Sequence, residues 1–213
     1  MAQQIWEQRY TNLKQGSPEI AWPHDPWLER WQHLLDSAGA QPVLELGCGR
    51  GLDARYLSEQ GRQVIAADFS ANALQIAQQI APQANLLQLN LIDGLPFAPA
   101  TFPIIIASLC LHYFLWATTK AILQRLHTCL QPDGRLLLRV NSTRDLNHGA
   151  GGPAAGYAEL EPHFYLVQGV QKRFFDRVDL LRLLESQWQI VALEELTIMH
   201  RLPKVLWEVV VQP

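Results

Sequence analysis

Cysteine is scarce in this chain, with only Cys48, Cys110 and Cys129 among 213 residues. An odd, widely spaced trio builds no disulfide framework and suits a reducing compartment. A surplus of basic charge is also missing: 17 Lys plus Arg stand against 20 Asp plus Glu, a net charge of −3. Chains that grip phosphate backbones by charge carry such a surplus, so no strong nucleic-acid signal is present. No apolar run is long enough for a bilayer, which takes roughly 20 residues. The greasiest, Phe102 to Ala117, is interrupted by Pro103, Ser108 and His112. Met1 to Glu7 has no basic region followed by an apolar stretch, so no secretory signal is expected. Metal-binding patterns are absent too. The seven histidines form no H-E-x-x-H spacing, and Cys110-x-His112 offers two ligands at most, so no metal is expected. The resulting expectation is a soluble, cytoplasmic protein.

What the chain does have is apolar content: 48% hydrophobic against 17% charged residues, enough for one large α/β domain with a buried core. No internal repeat interrupts the reading. Trp6 to Lys14 suits an amphipathic helix, which Gly16-Ser17-Pro18 and Pro23 to Pro26 break. Trp27, Trp31, Leu34 and Leu35 recur at helical spacing and mark a second helix, with Trp27 either packing or facing substrate. From residue 41 a β-α-β-α rhythm sets in. Strands are expected at Gln41–Leu46, Gln63–Ala67, Asn85–Leu89, Pro103–Leu109 and Arg135–Val140. Helices are expected at Leu52–Gln60, at Ala71–Ile80 behind an N-cap Ser70, and at Thr119–Leu130, with a turn at Pro132-Asp133-Gly134. Beyond Asn141 the rhythm stops in a loop with Gly149, Gly151, Gly152, Pro153 and Gly156. A helix introduced by Asp176 and two strands, Gln189–Thr197 and Val205–Val211, complete the pattern. The expected architecture is a doubly wound, mostly parallel, Rossmann-like sheet in three α/β/α layers, ending in an antiparallel hairpin. A single domain is expected, with residues 1–38 as a helical cap or lid, 41–140 as the ligand-binding core and 141–213 on the acceptor side.

The most informative stretch is Val43-Leu44-Glu45-Leu46-Gly47-Cys48-Gly49-Arg50-Gly51. A strand runs into alternating glycines and leaves as a helix. Missing Cβ atoms admit a ligand close to the backbone, and the helix start offers free N–H groups to an anion. Dinucleotide loops read G-x-G-x-x-G, whereas here the third glycine comes one residue early. The G-K-[ST] ending of a P-loop is missing as well. Glu45 gains nothing from a diphosphate but would face an ammonium, so a ligand with an amino-acid moiety fits both ends. Asp68 follows 17 residues after Gly51, at the end of a strand, where a carboxylate can grip ribose hydroxyls.

With these residues the chain resembles the class I S-adenosylmethionine-dependent methyltransferases over residues 41–140. The resemblance implies that Glu45, Gly47, Cys48, Gly49 and Gly51 hold the methionine part of S-adenosyl-L-methionine and that Asp68, with Phe69, holds the ribose. It places Asn90 and Leu91 at the adenine, with Asp93 as the rival to Asn90, and Ser108 at the end of the fourth strand beside the cofactor. Three positions depart from the family pattern: Asn90 for the commoner Asp, Pro103 for an acid, and Asp133 for a glycine in the Leu130-to-Arg135 turn. An Asn carbonyl still accepts a hydrogen bond from an amino group. The short length and the Trp6-to-Tyr10 opening are similar to small-molecule branches of the family, including tellurite-resistance methyltransferases.

The implied activity is methyl transfer by in-line displacement to a small-molecule acceptor, such as a chalcogen oxyanion or a thiol-like nucleophile. Such transfer needs alignment and dryness, and a base only where the acceptor holds its proton. The absence of a clear catalytic dyad therefore does not exclude catalysis. His112 and Tyr113, after the fourth strand, are the candidate catalytic pair, with His112 either a base or a packed wall residue. Arg139, Asn141 and Arg144 follow the fifth strand, the two arginines either attracting an oxyanion or ion-paired. Tyr10, Trp22 and His24 form either a lid or a hydrophobic cap. Cys48 lies near a helix start, where thiol pKa values fall, but its small size is reason enough for its place. Gln171-Lys172-Arg173 with Arg177 reads as a solvated basic face. Protein or RNA methylation, a non-catalytic binding partner and a nicotinamide oxidoreductase are the alternatives. The assembly expected is a monomer or homodimer.

Overall fold

The computed structural model describes residues 2–15, 25–147, 156–199 and 203–213. Trp22, His24, Gly149, Gly151, Gly152 and Pro153 fall outside them.

Helix α1 (Ala2–Gln15) is followed by a 3-10 helix, Pro26–Trp31, that runs straight into α2 (Gln32–Ser37). The core then alternates β1 (Val43–Leu46), α3 (Leu52–Glu59), β2 (Val64–Asp68), α4 (Ala71–Ile80), β3 (Asn85–Gln88), β4 (Phe102–Ser108), α5 (Trp116–Cys129) and β5 (Leu130–Asn141). A small antiparallel sheet of β6 (Ala158–Glu161), β7 (Phe164–Val167) and β8 (Val170–Arg173) comes next. The chain closes with α6 (Arg177–Leu184), β9 (Gln189–Met199) and β10 (Pro203–Gln212).

The main sheet has the order β3-β2-β1-β4-β5-β10-β9. Its first five strands are parallel, and β10 runs antiparallel to both neighbours, β5 and β9. This matches the expected doubly wound sheet with its closing hairpin. Alternation along the strands explains the layers. Leu44, Ile105, Leu136 and Leu138 face one core with Ile122, Leu126, Leu180 and Leu184 of α5 and α6. Val43, Ile104, Ile106 and Leu137 face the other, with Trp27, Leu28, Leu35, Ala54 and Leu57. A period of two on strands buried on both sides is what places helices on both faces.

Strand order reverses at β1. From there the chain steps to β2 on one side and to β4 on the other, so the carboxyl ends of β1 and β4 open a crevice.

Two local readings need correction. The Pro132-Asp133-Gly134 segment is an irregularity within β5, because Leu130 pairs with Phe102 and Arg135 already pairs with Ile104. Pro103 sits at that shift, where proline's missing N–H costs the ladder little. The small β6–β8 sheet was not anticipated in the region after Asn141. Its strands are four residues each, too short to display a clear alternation.

Trp27 settles as a packing residue: its indole N–H donates to Asp53 Oδ2 at 3.0 Å, and the Arg139 guanidinium lies 4.9 Å from its ring centre. Arg139 is buried, with Nη1 2.7 Å from Asp25 Oδ2 and Nε 3.7 Å from Glu208 Oε1. Arg30 reaches Glu208 Oε2 at 2.9 Å from the other side. The cluster ties the 3-10 helix to β5 and β10.

Gly51 ends the glycine turn at φ +79°, and a Cβ there would lie 3.0 Å from Ala77 Cβ of α4. Gly51→Ala is therefore expected to cost about 1–3 kcal/mol from left-handed strain plus overpacking. Urea unfolding measures this, and an unchanged midpoint would contradict the packing role.

Candidate functional site

A cavity of about 500 Å³ lies over the crevice between β1 and β4. Of the residues singled out from sequence, Gly47, Asp68, Phe69, Asn90, Leu91 and Tyr113 form part of its wall. Glu45, Cys48, Gly49, Gly51, Ser108 and His112 do not line it. Asp93 is exposed and outside the wall, so Asn90 is the polar side chain presented there.

The floor is the glycine turn. Gly47 adopts φ +63°, and a Cβ there would come within 2.4 Å of Cys110 Cβ. Only glycine lets the two strand ends approach so closely. Asp68, at the end of β2, braces the turn: Oδ2 accepts from Gly49 N–H at 2.9 Å and Oδ1 from Ser70 N–H at 2.9 Å. It is 5% exposed, and burial raises its pKa against the lowering effect of those hydrogen bonds. Ser70 caps α4 as expected, its Oγ accepting from Ala73 N–H at 3.1 Å.

Two residues before the turn, Glu45 is 3% exposed, and its Oε2 has no hydrogen-bond partner. Burial, with Asp53 and Asp68 nearby, raises its pKa well above the usual range, although Ala54 N–H donates to it. A buried carboxyl among carboxylates, lacking a cation, is a group that an incoming ammonium would satisfy. Cys48 departs from expectation. Burial first, then Glu45 and Asp68, push its thiol pKa up, outweighing any effect of the helix start. It has no reactive-thiol character.

Over the floor lies α1, which supplies Gln3, Trp6 and Tyr10 to the wall. Tyr10 thus lies on the cavity wall, and its hydroxyl would sit 2.9 Å from a Cβ on Gly49. Trp6 packs edge-on against Tyr113, with ring centres 5.1 Å apart. Glu7 fastens the helix: its carboxylate accepts from Ser70 Oγ at 2.8 Å, Ala71 N–H at 2.9 Å and Asn72 N–H at 3.1 Å. It therefore caps the start of α4 across the chain, satisfying N–H groups that a helix leaves open. Burial by itself raises the Glu7 pKa, but the hydrogen bonds from Ser70, Asn72 and Ala71 bring it below the usual value. Glu7 was missed from sequence because capping partners are normally sought beside the helix, not 64 residues before it.

Tyr113 borders the cavity as a protonated phenol, since burial raises its pKa. His112, in a 3-10 turn at Leu111–Tyr113, is 2% exposed with Nδ1 unpartnered. Burial, then Lys204 and Lys172, lower its pKa well below the usual value and keep it neutral. Arg144 is 2.8 Å from Glu195 and Asn141 Oδ1 accepts from Lys204 Nζ at 2.8 Å. With Arg139 ion-paired as described, both arginines follow the ion-paired alternative. Lys172 and Arg173 also depart from the solvated-face reading: Arg173 is buried against Phe164 and Trp116 and paired to Glu161. Gln171 and Arg177 remain exposed.

Residues 43–134 match a family model described as a methyltransferase domain. An uncharacterized methyltransferase of Synechocystis sp. is 36% identical over 103 residues, 48% of this chain and 48% of that protein. An 18S rRNA (guanine-N(7))-methyltransferase of Schizosaccharomyces pombe is 32% identical over 111 residues, 51% of this chain and 38% of that protein. The chain thus spans about half the length of the first relative and less of the second. Burkholderia thailandensis 1,6-didemethyltoxoflavin-N1-methyltransferase, solved with bound 1,6-didemethyltoxoflavin and S-adenosylhomocysteine, superposes with TM-score 0.70. Its identity is 18%, over 98% of this chain and 87% of that one, a likeness of fold.

Glu7→Gln is expected to loosen α1 from α4. A lost cap of about 1 kcal/mol raises the open population about fivefold. Tryptic cleavage after Arg9 should quicken by that factor, and an unchanged rate would contradict the fastening role.

Proposed function

We propose that this protein, whose residues 43–134 match a methyltransferase-domain model, is a class I S-adenosylmethionine-dependent methyltransferase that methylates a small-molecule acceptor in the cavity under α1. The observation that carries the reading is the unpartnered Oε2 of the buried Glu45 carboxyl, beside a glycine turn braced by Asp68. These groups fit the cofactor. Glu45 suits its ammonium, Gly47 and Gly49 admit its backbone-hugging methionine part, and Asp68 suits the ribose hydroxyls. Asn90, with Leu91 and Phe69 as apolar walls, suits the adenine. Gly51 contributes by seating α3 against α4, and Ser108 by ending β4 beneath the turn. When bound, the cofactor supplies an electrophilic methyl on a positively charged sulfur, which is left as a neutral thioether.

The chain's own work is positioning and exclusion of water. Trp6, Tyr10 and Tyr113 enclose the cavity with aromatic surface, which dries the space and limits the acceptor's orientations. The Tyr113 hydroxyl donates a hydrogen bond to the acceptor. His112 stays neutral and, buried outside the cavity wall, acts on the acceptor only by positioning Tyr113, whose ring centre lies 4.2 Å from its own. No helix among the described residues is long and apolar enough to cross a membrane, consistent with a cytoplasmic role. The rRNA-methylating relative keeps a second reading open, with a nucleic-acid acceptor. Salt-sensitive binding of RNA by the whole chain would favour that reading.

Calorimetry tests the assignment. S-adenosylhomocysteine is expected to bind and NAD not to bind, and the reverse result would overturn the reading. Asp68→Asn should weaken S-adenosylhomocysteine by about 1–3 kcal/mol, the cost of leaving buried hydroxyls poorly paired. Unchanged affinity removes Asp68 from the site. Since Glu45 holds its proton to higher pH than an ordinary Glu, binding of the ligand ammonium should lower that proton affinity and be accompanied by proton release. Binding heat would then vary with the ionisation enthalpy of the buffer in the wild type and lose that dependence in Glu45→Gln.

A further inference from the structure

Next to the aromatic wall is a group of cations from three elements. Arg9 of α1 lies with its guanidinium carbon 4.9 Å from the ring centre of Trp6, a wall residue. Lys172 of β8 follows the wall residue Gln171 without itself lining the cavity, and β8 packs on the 3-10 turn that carries His112 and Tyr113. Lys204 of β10 reaches Asn141 at the end of β5, with Nζ 2.8 Å from Oδ1. Both lysines act on His112, and Lys204 and Arg9 both act on Lys172.

Among the described residues, the acids facing this group are already engaged. Asp145 Oδ2 lies 3.7 Å from Lys204 Nζ, while its Oδ1 accepts from Val205 N–H at 2.9 Å. Glu159, in register with Tyr165 and through it with Lys172 across the small sheet, accepts from His163 N–H at 2.9 Å. Arg139, which also repels Lys204, is held by Asp25 and Glu208. Glu7, beside Arg9 in the chain, is committed to α4. Three like charges gathered in partial burial against one shared carboxylate are unfavourable, and a bound anion would relieve them.

We propose that the methyl acceptor is an organic anion, its carboxylate or phosphate seated among Arg9, Lys172 and Lys204 and its apolar body against Trp6 and Tyr113. This rests on the methyltransferase reading and specifies the acceptor's class. The unpartnered Nδ1 of buried His112 is a further polar atom beside this seat. Burial first, then Lys204 and Arg9, lower the Lys172 pKa to about 8. Its charge is therefore present below that pH and lost as pH rises through it. Lys204 is lowered as well, chiefly by burial. Attraction for an anion should fade in the same window.

The test is calorimetry on the whole chain saturated with S-adenosylhomocysteine, titrated with benzoate, phenyl phosphate and neutral benzamide. At least one anion is expected to bind about tenfold more tightly than benzamide, a difference of about 1.4 kcal/mol. Which anion binds better separates a carboxylate from a phosphate acceptor. The preference should shrink toward unity in Lys172→Met and in Lys204→Met, provided their S-adenosylhomocysteine affinity is retained. Should a variant fail to fold, the wild type decides by itself, since its preference must fall between about pH 7 and about pH 9.5 as lysine charge is lost. Equal binding of anion and amide, no binding of either anion, or a preference indifferent to pH overturns the proposal. Failure of S-adenosylhomocysteine itself to bind is a different result and sinks the methyltransferase reading beneath it.

Discussion

The brace between Asp68 and the glycine turn is the interaction on which the rest of the site depends. One carboxylate at the end of β2 accepts from Gly49 at the end of β1 and from Ser70 at the start of α4. It thereby fixes the turn, the strand end and the helix start relative to one another. Gly47 can then approach Cys110 at the end of β4, closing the floor of the cavity. The same Ser70 donates a hydrogen bond from its hydroxyl to Glu7, so the roof helix is positioned by the group that the floor positions. Floor, wall and roof are held by one short chain of hydrogen bonds. Such a chain is stiff where all members are paired, and the unpartnered Oε2 of the buried Glu45 carboxyl beside it identifies where a cationic group belongs.

Electrostatics divide the crevice into two ends. Near the glycine turn the charges are acidic: burial, then Asp53 and Asp68, raise the proton affinity of Glu45. Beyond Tyr113 they are basic: besides burial, Lys204 and Lys172 lower the proton affinity of His112, and Lys204 and Arg9 that of Lys172. A ligand with an ammonium at one end, meeting a second ligand with an anion at the other, suits this polarity. The aromatic rings of Trp6 and Tyr113 lie between the two ends.

The core architecture was legible because its signals are local. Strand periodicity, Ser70 before α4 and the alternating glycines after β1 each declare themselves within a few residues, and all agree with the structure. What stayed hidden depends on partners far apart in the chain. Glu7 acquires its role only once α1 lies across α4, and Lys172 becomes part of a basic group only once β8 lies on the turn of His112. Whether Arg139 and Arg144 attract an oxyanion or are ion-paired was open in the sequence, and Asp25, Glu208 and Glu195 beside them decide for ion pairs. The thiol of Cys48 shows the same lesson in its sign. A helix start alone argues for a lowered pKa, but the carboxyls folded around it and its burial reverse the outcome.

The most direct test of the central claim is a crystal of the chain grown with S-adenosylhomocysteine. The account predicts density for the amino-acid end against Gly47 and Glu45, with the ribose at Asp68 and the purine at Asn90. A filled cavity in which the turn between β1 and α3 is bare, or a turn occupied by a dinucleotide in preference to this compound, would contradict it.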